Sequence, residues 1–388
     1  MKRILYLTYF YEPDLSAGSF RNTSLSGELA RQLKSTAEID VITTVPNRYR
    51  SFNEDAVRYE RRENISITRI KVSRFNAGMF GQILTYLRYY FAVLYFIRDT
   101  KYDLVFASSS RLFTGYLGSY VAKRRGVPFY LDIRDIFYES IRDVLGRNPL
   151  KYVLLPFIRI TEKVTIRRAV HVNLISEGFV PYLEQFNPKR ISCFTNGIDD
   201  QFLDLNLPER TPQERKVVLY AGNIGEGQGL HKFIPQLAKE LGPSYEFRII
   251  GDGGAKVHLI NTINSLKTTN VVLFPPISRQ KLLLQYAEAD FNIIHLNNCE
   301  AFKRVLPSKI FELAALNRPI IAGVAGYAHQ FIKENIENII LVDPGDIHAC
   351  AKLLGKYEYK NTNRQQFKKK FSRKEIDSRM AASIIKYL

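Results

Sequence analysis

Thirteen short, nearly continuous apolar runs recur along this chain, separated by longer stretches with helical periodicity. Seven lie at 3–8, 39–44, 65–72, 104–107, 127–132, 170–175 and 191–195. After a polar stretch the pattern restarts at 217–221, 247–251, 271–274, 291–296, 319–323 and 339–342. A strand that is apolar on both faces must be covered on both, which places it in a parallel sheet between helical layers. The fold class is therefore α/β, with two tandem doubly wound parallel-sheet domains. A chain of 388 residues also exceeds what one core usually holds. The expected divisions are a first domain at 1–198, a linker at 199–215 carrying Pro208 and Pro212, a second domain at 216–372, and a terminal helix at 373–388. No residue-level repeat relates the halves. Two such domains are expected to turn the C-terminal ends of their strands, and hence their ligand loops, toward one central cleft.

Composition narrows the setting. An apolar content of 46% supplies ample core and argues against disorder. Three widely spaced cysteines (Cys193, Cys299, Cys350) suit a reducing cytosol and offer no metal-ligand spacing. The N-terminal apolar run is short and lacks a small-residue cleavage site, so no signal peptide is expected. The formal net charge of +18 asks for a partner. Arg147, Lys151, Arg159, Lys163, Arg167 and Arg168 interleave with Tyr152, Val153, Phe157 and Ile160, a pattern that suits an amphipathic element on an anionic membrane surface. A core helix with a basic outer face explains the same pattern. The aromatic stripe at 82–97 is interrupted by Arg88, and the apolar stretch after it is too short to span a bilayer. No nucleic acid is expected: zinc-finger spacing, helix-turn-helix and RNP-like patterns are all missing from the sequence.

Two segments carry chemistry. In the first, Pro307 and Ser308 read as a helix start, with Ser308 as the side-chain cap. Unpaired N–H groups at that end suit a phosphate, Lys309 adds a full positive charge, and Glu312 falls one turn further in. That offset matches the distance of a ribose from its diphosphate. In the second, Gly222-Asn223-Ile224-Gly225-Glu226-Gly227-Gln228-Gly229 lies between a strand and a helix. Its four glycines open backbone N–H groups to a diphosphate, yet it fits neither G-x-G-x-x-G nor the Walker pattern. No D-x-D pair occurs in the chain. The six histidines show no grouping along the sequence, and His295 at a strand end reads as a buried, satisfied residue.

These segments, in their order and spacing, resemble retaining glycosyltransferases of family 4, which have the two-Rossmann-domain (GT-B) fold. The segment Leu131-Asp132-Ile133-Arg134-Asp135 is similar to an Arg-Asp-Leu-Trp element of the O-antigen and capsule branch, whose members include N-acetylfucosamine transferases. The resemblance implies a metal-independent transferase with no cofactor. It would move a sugar from a UDP-linked nucleotide-sugar donor to a lipid-linked saccharide acceptor, at the cytoplasmic face of the cell membrane. It places Asp135 and Arg134 at the reaction centre, with a helix cap as a second role for Asp135. It assigns to the donor Gly18, Arg21, Gly222, Asn223, Gly225, Gln228, Gly229, Gly251, Lys303, Arg304, Pro307, Ser308, Lys309 and Glu312, with Glu312 on the ribose. Gly251 and Gly253 would let the chain pass beneath the base. The sequence departs from the family in two places. Asn223 and Gln228 stand where many members carry Arg and Lys, leaving Lys303, Arg304 and Lys309 to supply charge. Arg304 stands where the family has the first glutamate of its pair, the one that binds the donor sugar, eight residues before Glu312. Two other functions fit the same architecture: a nucleotide-sugar 2-epimerase, and a non-catalytic binding or scaffold subunit.

Overall fold

A computed structural model describes residues 1–47, 56–72, 79–109, 111–146, 148–205, 207–210 and 214–388; Arg147 and Pro212 lie outside them. Two compact units result: Met1–Asn196 joined by Arg373–Leu388, and Gly197–Ser372.

The first unit is built on strands β1 (Lys2–Leu7), β2 (Ala37–Thr44), β3 (Tyr59–Arg62), β4 (Ile65–Ile70), β5 (Leu104–Ser108), β6 (Phe129–Ile133), β7 (His171–Leu174) and β8 (Ile191–Ser192). They form one sheet in the order β3-β4-β2-β1-β5-β6-β7-β8. All pairs are parallel except β3 with β4. β3 has no apolar run to announce it: its sequence Tyr-Glu-Arg-Arg is largely exposed, and the charges on this edge discourage pairing with another chain. Ser16 starts the helix Ala17–Leu33 by accepting from the Ser19 N–H at 3.1 Å. Against this helix lies Arg373–Ile385, whose Met380, Ala381 and Ile384 share a core with Leu25, Leu29 and Leu33.

Arg21 is corrected by this packing. Its side chain is fully buried and ion-paired with the equally buried Asp132 at 3.2 Å, and it donates to the Phe194 and Thr195 carbonyls at 2.8 Å. Its accessible surface is nil, so it ties β6 to the strand-end loop at 194–195 and does not contact a donor phosphate. Burial alone would raise the Asp132 carboxyl, but Arg21 and Arg134 hold it below the usual carboxylate range.

The second unit holds β9 (Lys216–Asn223), β10 (Tyr245–Asp252), β11 (Val271–Phe274), β12 (Phe291–His295), β13 (Ile320–Gly323) and β14 (Ile339–Val342) in the order β11-β10-β9-β12-β13-β14. All these pairs are parallel. The helix Leu230–Leu241 packs Phe233, Ile234 and Leu237 onto Val218, Phe247 and Phe291. The stretch expected as a linker is part of this unit. Ile198 donates to Phe371 at 2.8 Å, residues Asp200–Leu203 are helical, and the Leu207 and Pro208 carbonyls accept from Asn317 and Arg318. Arg210 pairs with the buried Asp290.

Candidate functional site

In an open parallel sheet the ligand crevice opens where strand order reverses, beyond the carboxyl ends of the two central strands. In the second unit that point lies between β9 and β12, the neighbours from which the chain runs outward on either side. The glycine loop follows β9, and Leu296–Glu300 follows β12.

The loop is held by its neighbours. The Gln228 side-chain oxygen accepts from Asn223 Nδ2 at 2.8 Å and from the Gly225 N–H at 3.2 Å, closing the loop on itself. Asn223 and Gln228, expected on the donor, therefore also shape the loop. From β12, the Asn297 N–H donates to the Gly227 carbonyl at 2.9 Å, and Asn297 Nδ2 donates to the Glu226 carbonyl. Gly229 takes φ +60°, and a Cβ there would overlap the Asn297 amide, so two independent constraints require glycine. A Cβ on Gly227 would meet the Phe302 ring. Gly222, the last residue but one of β9, lies beside Tyr220, whose hydroxyl donates to the Asn223 carbonyl at 2.6 Å.

Gly251 has a structural part. It is buried, and a Cβ there would overlap the Gly222 carbonyl oxygen, so it lets the ends of β9 and β10 touch. Its place is under the glycine loop.

His295 joins the loop to the far side of the sheet. Its Nδ1 lies 2.7 Å from the Gln228 carbonyl, and its Nε2 accepts from the Gly345 N–H at 3.1 Å. The second bond leaves the ring proton on Nδ1, donated to Gln228. The ring stacks on Phe233 at 4.4 Å, and burial lowers its pKa to about 4 despite the Gln228 bond, so it is neutral at physiological pH. This satisfied, neutral ring is no general acid. Asn297 and His295 were invisible as loop braces in the sequence, because their partners lie 71 and 67 residues away.

The short helix Lys309–Ala315 sits on Ile310, Phe311, Leu313 and Ala314, all buried. Phe311 meets Phe331, Phe367 and Phe371 at ring separations of 5.9, 6.2 and 5.5 Å. Pro307 begins the turn, its carbonyl accepting from Ile310 at 3.1 Å. The expected Ser308 cap is corrected: Ser308 already has right-handed helical φ and ψ, and its side chain makes no capping bond. Lys309 Nζ lies 2.7 Å from a Glu312 carboxylate oxygen and 3.4 Å from the buried Tyr286 hydroxyl. Burial opposes the ammonium charge, but Glu312 and Tyr286 outweigh it and raise the pKa. Lys309 is thus a fixed cation, paired with the carboxylate expected to face a ribose. Between these elements the turn Glu300–Arg304 carries Arg304 and Lys303, the latter ion-paired with Glu300 at 2.6 Å. Glycine at 326 admits the Lys303 carbonyl, which a Cβ would block.

In the first unit, Arg134 follows β6 and is buried, with no hydrogen-bond partner for Nη1 among the described residues. Burial, and next the Arg21 guanidinium, lower its pKa to about 10, so it remains charged at neutral pH. Asp135 beside it is exposed. The helix that follows starts at Phe137 with Ile136 in the cap position, so the alternative role of Asp135 as the cap is not taken. Gly18 lies buried in the first turn of its helix, its carbonyl accepting from Asn22 Nδ2 at 2.7 Å.

Fold and loops together define a class, the GT-B proteins with two Rossmann-like domains. Over residues 206–374 the chain matches the glycosyl transferases group 1 family, and the match takes in nearly the whole second unit. The chain is 27% identical over 191 residues to the putative colanic acid biosynthesis glycosyl transferase WcaI of Escherichia coli K12. That match takes in 48% of this chain and about half (47%) of the length of that relative. Sucrose-phosphate synthase of Thermosynechococcus elongatus shares the fold, with a TM-score of 0.74 at 13% identity, covering 100% of this chain and 99% of its own. Anabaena HepE, solved in complex with UDP, has a TM-score of 0.66 at 17% identity and full coverage of both chains.

A depressed histidine pKa makes stability depend on acidity. The folded form resists protonation at His295 while the unfolded form accepts it near pH 6.5, so this contribution is complete above that value and lost as pH falls toward 4. A shift from 6.5 to about 4 corresponds to about 3 kcal/mol. In urea titrations across this range, the wild type is expected to lose that much more stability than His295→Gln. Parallel pH profiles for the two proteins would show that His295 does not carry the dependence.

Proposed function

We propose that this chain is a retaining glycosyltransferase that transfers a sugar from a UDP-linked donor to a lipid-linked saccharide in cell-surface polysaccharide assembly. The observation that carries the reading is the group 1 domain, which takes in both the glycine loop and the helix starting at Lys309. The name of the WcaI relative and the UDP in HepE support the pathway and the donor. In this reading the diphosphate rests on backbone N–H groups of the glycine loop and of Ser308-Lys309, with the Lys309 ammonium beside it. Glu312, oriented by Lys309, accepts from the ribose hydroxyls.

Catalysis then consists of stabilising the departing diphosphate by preorganised donors, while the acceptor hydroxyl attacks the anomeric carbon on the same face. Arg134 and Asp135 are assigned to the reaction centre. Arg134 brings a buried cation with an unused donor, which suits developing negative charge, and Asp135 brings an exposed carboxylate. No metal or cofactor enters this mechanism. The epimerase reading has less support, since His295 is neutral and fully bonded.

The membrane partner also has a physical basis, different from the one the sequence suggested. Arg159 is turned inward, its guanidinium lying over the rings of Tyr138, Phe186 and Tyr182 at 4.9, 4.9 and 5.3 Å. Arg167 donates to the Phe186 carbonyl at 3.2 Å. Outward on the helix Lys151–Arg168 stand Tyr152, Val153, Phe157 and Ile160, each more than half exposed. The helix Met79–Phe96 adds Leu84, Phe91 and Tyr95, also more than half exposed. Phe113 bridges the two, 5.4 Å from Tyr86 and 6.2 Å from Phe157. Among the described residues no helix is long and apolar enough to cross a membrane. Burying one such side chain contributes about 1.5–3 kcal/mol, against about 1 kcal/mol for a basic residue near anionic lipid. Insertion therefore outweighs charge on this face.

Three measurements check this account. Incubated with UDP-sugars and a polyprenyl-diphosphate saccharide, the protein should release UDP only when the acceptor is present. Release without acceptor would point to the epimerase, and no turnover with any donor would point to a scaffold. Glu312→Gln should weaken UDP binding by one to two powers of ten, the effect of losing hydrogen bonds to a charged acceptor of about 1.5–3 kcal/mol. On vesicles, Phe91→Ser combined with Tyr152→Ser and Phe157→Ser should abolish cosedimentation with anionic lipid, whereas added salt should only reduce it. Equal binding by the triple variant and the wild type would remove these helices from the membrane contact.

A further inference from the structure

Beside the glycine loop, three side chains from a turn and two helices converge without any part in the mechanism above. Glu226 lies in the short turn of the loop, His231 in the first turn of Leu230–Leu241, and His258 in the first turn of Lys256–Leu266. We propose that Glu226, His231 and His258 bind one divalent transition-metal ion of the zinc type.

The geometry is nearly that of a formed site. Glu226 Oε1 lies 2.9 Å from His258 Nδ1, Glu226 Oε2 lies 3.8 Å from His231 Nε2, and all three donor groups fall within 4.8 Å of one another. An ion about 2.0–2.1 Å from each ligand in a tetrahedral arrangement separates its donors by roughly 3.3–3.4 Å. The observed spacings bracket that value, so small side-chain rotations suffice. Two imidazoles with one carboxylate select zinc-like ions over magnesium or calcium, which prefer oxygen alone.

His231 supplies an independent reason. Its side chain is only 11% exposed, yet among the described residues neither ring nitrogen makes a hydrogen bond. Nδ1 is buried without a partner, and Nε2 faces Glu226 beyond hydrogen-bond length. A metal ion would give Nε2 the polar partner it lacks, while Nδ1 takes no part in the proposed site. The exposed Glu226 and His258 leave the fourth position open to water. Because the Glu226 carbonyl already accepts from Asn297, an ion here would brace the glycine loop against two helices.

The test uses the untagged full-length chain, titrated with zinc by calorimetry and with cobalt by visible absorption. One equivalent of zinc is expected to bind, and cobalt should develop the intense bands of a tetrahedral nitrogen–oxygen site. His258→Ala and Glu226→Gln alter exposed residues, so folding should survive, and each should weaken binding by at least about tenfold. His231→Ala should abolish the cobalt bands. Absence of saturable binding, octahedral cobalt spectra, or binding unchanged in His258→Ala and Glu226→Gln would overturn the proposal.

Discussion

The bond between the His295 ring and the Gln228 carbonyl decides what the glycine loop can be. Four glycines give a loop freedom, and a loop that must present backbone donors to a diphosphate cannot keep it. Here that freedom is removed from the outside. His295 holds the loop's last turn, Asn297 holds its middle, the Gln228 amide closes it on Gly225, and Gly251 admits the neighbouring strand beneath it. Neutral groups do this work, and in the proposed reading the positive charge for a phosphate is left to Lys309.

The same economy accounts for part of the basic content. Arginine carries five donors, and this chain uses several arginines to gather backbone carbonyls where loops meet. Arg318 is fully buried and donates to the Ala287, Ala289 and Pro208 carbonyls. Arg364 reaches those of Leu316, Arg318, Glu337 and Asn338, and Arg69 those of Glu12 and Val57. Such cations hold the fold together and are not themselves presented to a surface partner. A net charge of +18 therefore overstates the attraction toward an anionic surface, and the exposed aromatic residues of the first unit gain in relative importance.

What the sequence revealed follows from the range of the interactions concerned. The strands at 217–221 and 271–274 were legible because an apolar run is a local signal, and the observed strands Lys216–Asn223 and Val271–Phe274 lie on them. The glycine loop and the Lys309–Ala315 helix were legible for the same reason. Arg21 was misread because its partner Asp132 is 111 residues away, and nothing beside Arg21 signals burial. β3 was missed because an edge strand needs no apolar face, and Arg159 because its aromatic cage comes from two other segments. The Ser308 cap failed because residue type alone does not fix φ and ψ.

The central claim is that the crevice between β9 and β12, with the helix at Lys309, holds a nucleoside diphosphate. Amide hydrogen exchange of the full-length chain, with and without saturating UDP, tests it most directly. Slowed exchange is predicted in peptides covering 221–230 and 307–313. Saturable UDP binding that leaves both of those segments unprotected would contradict the account.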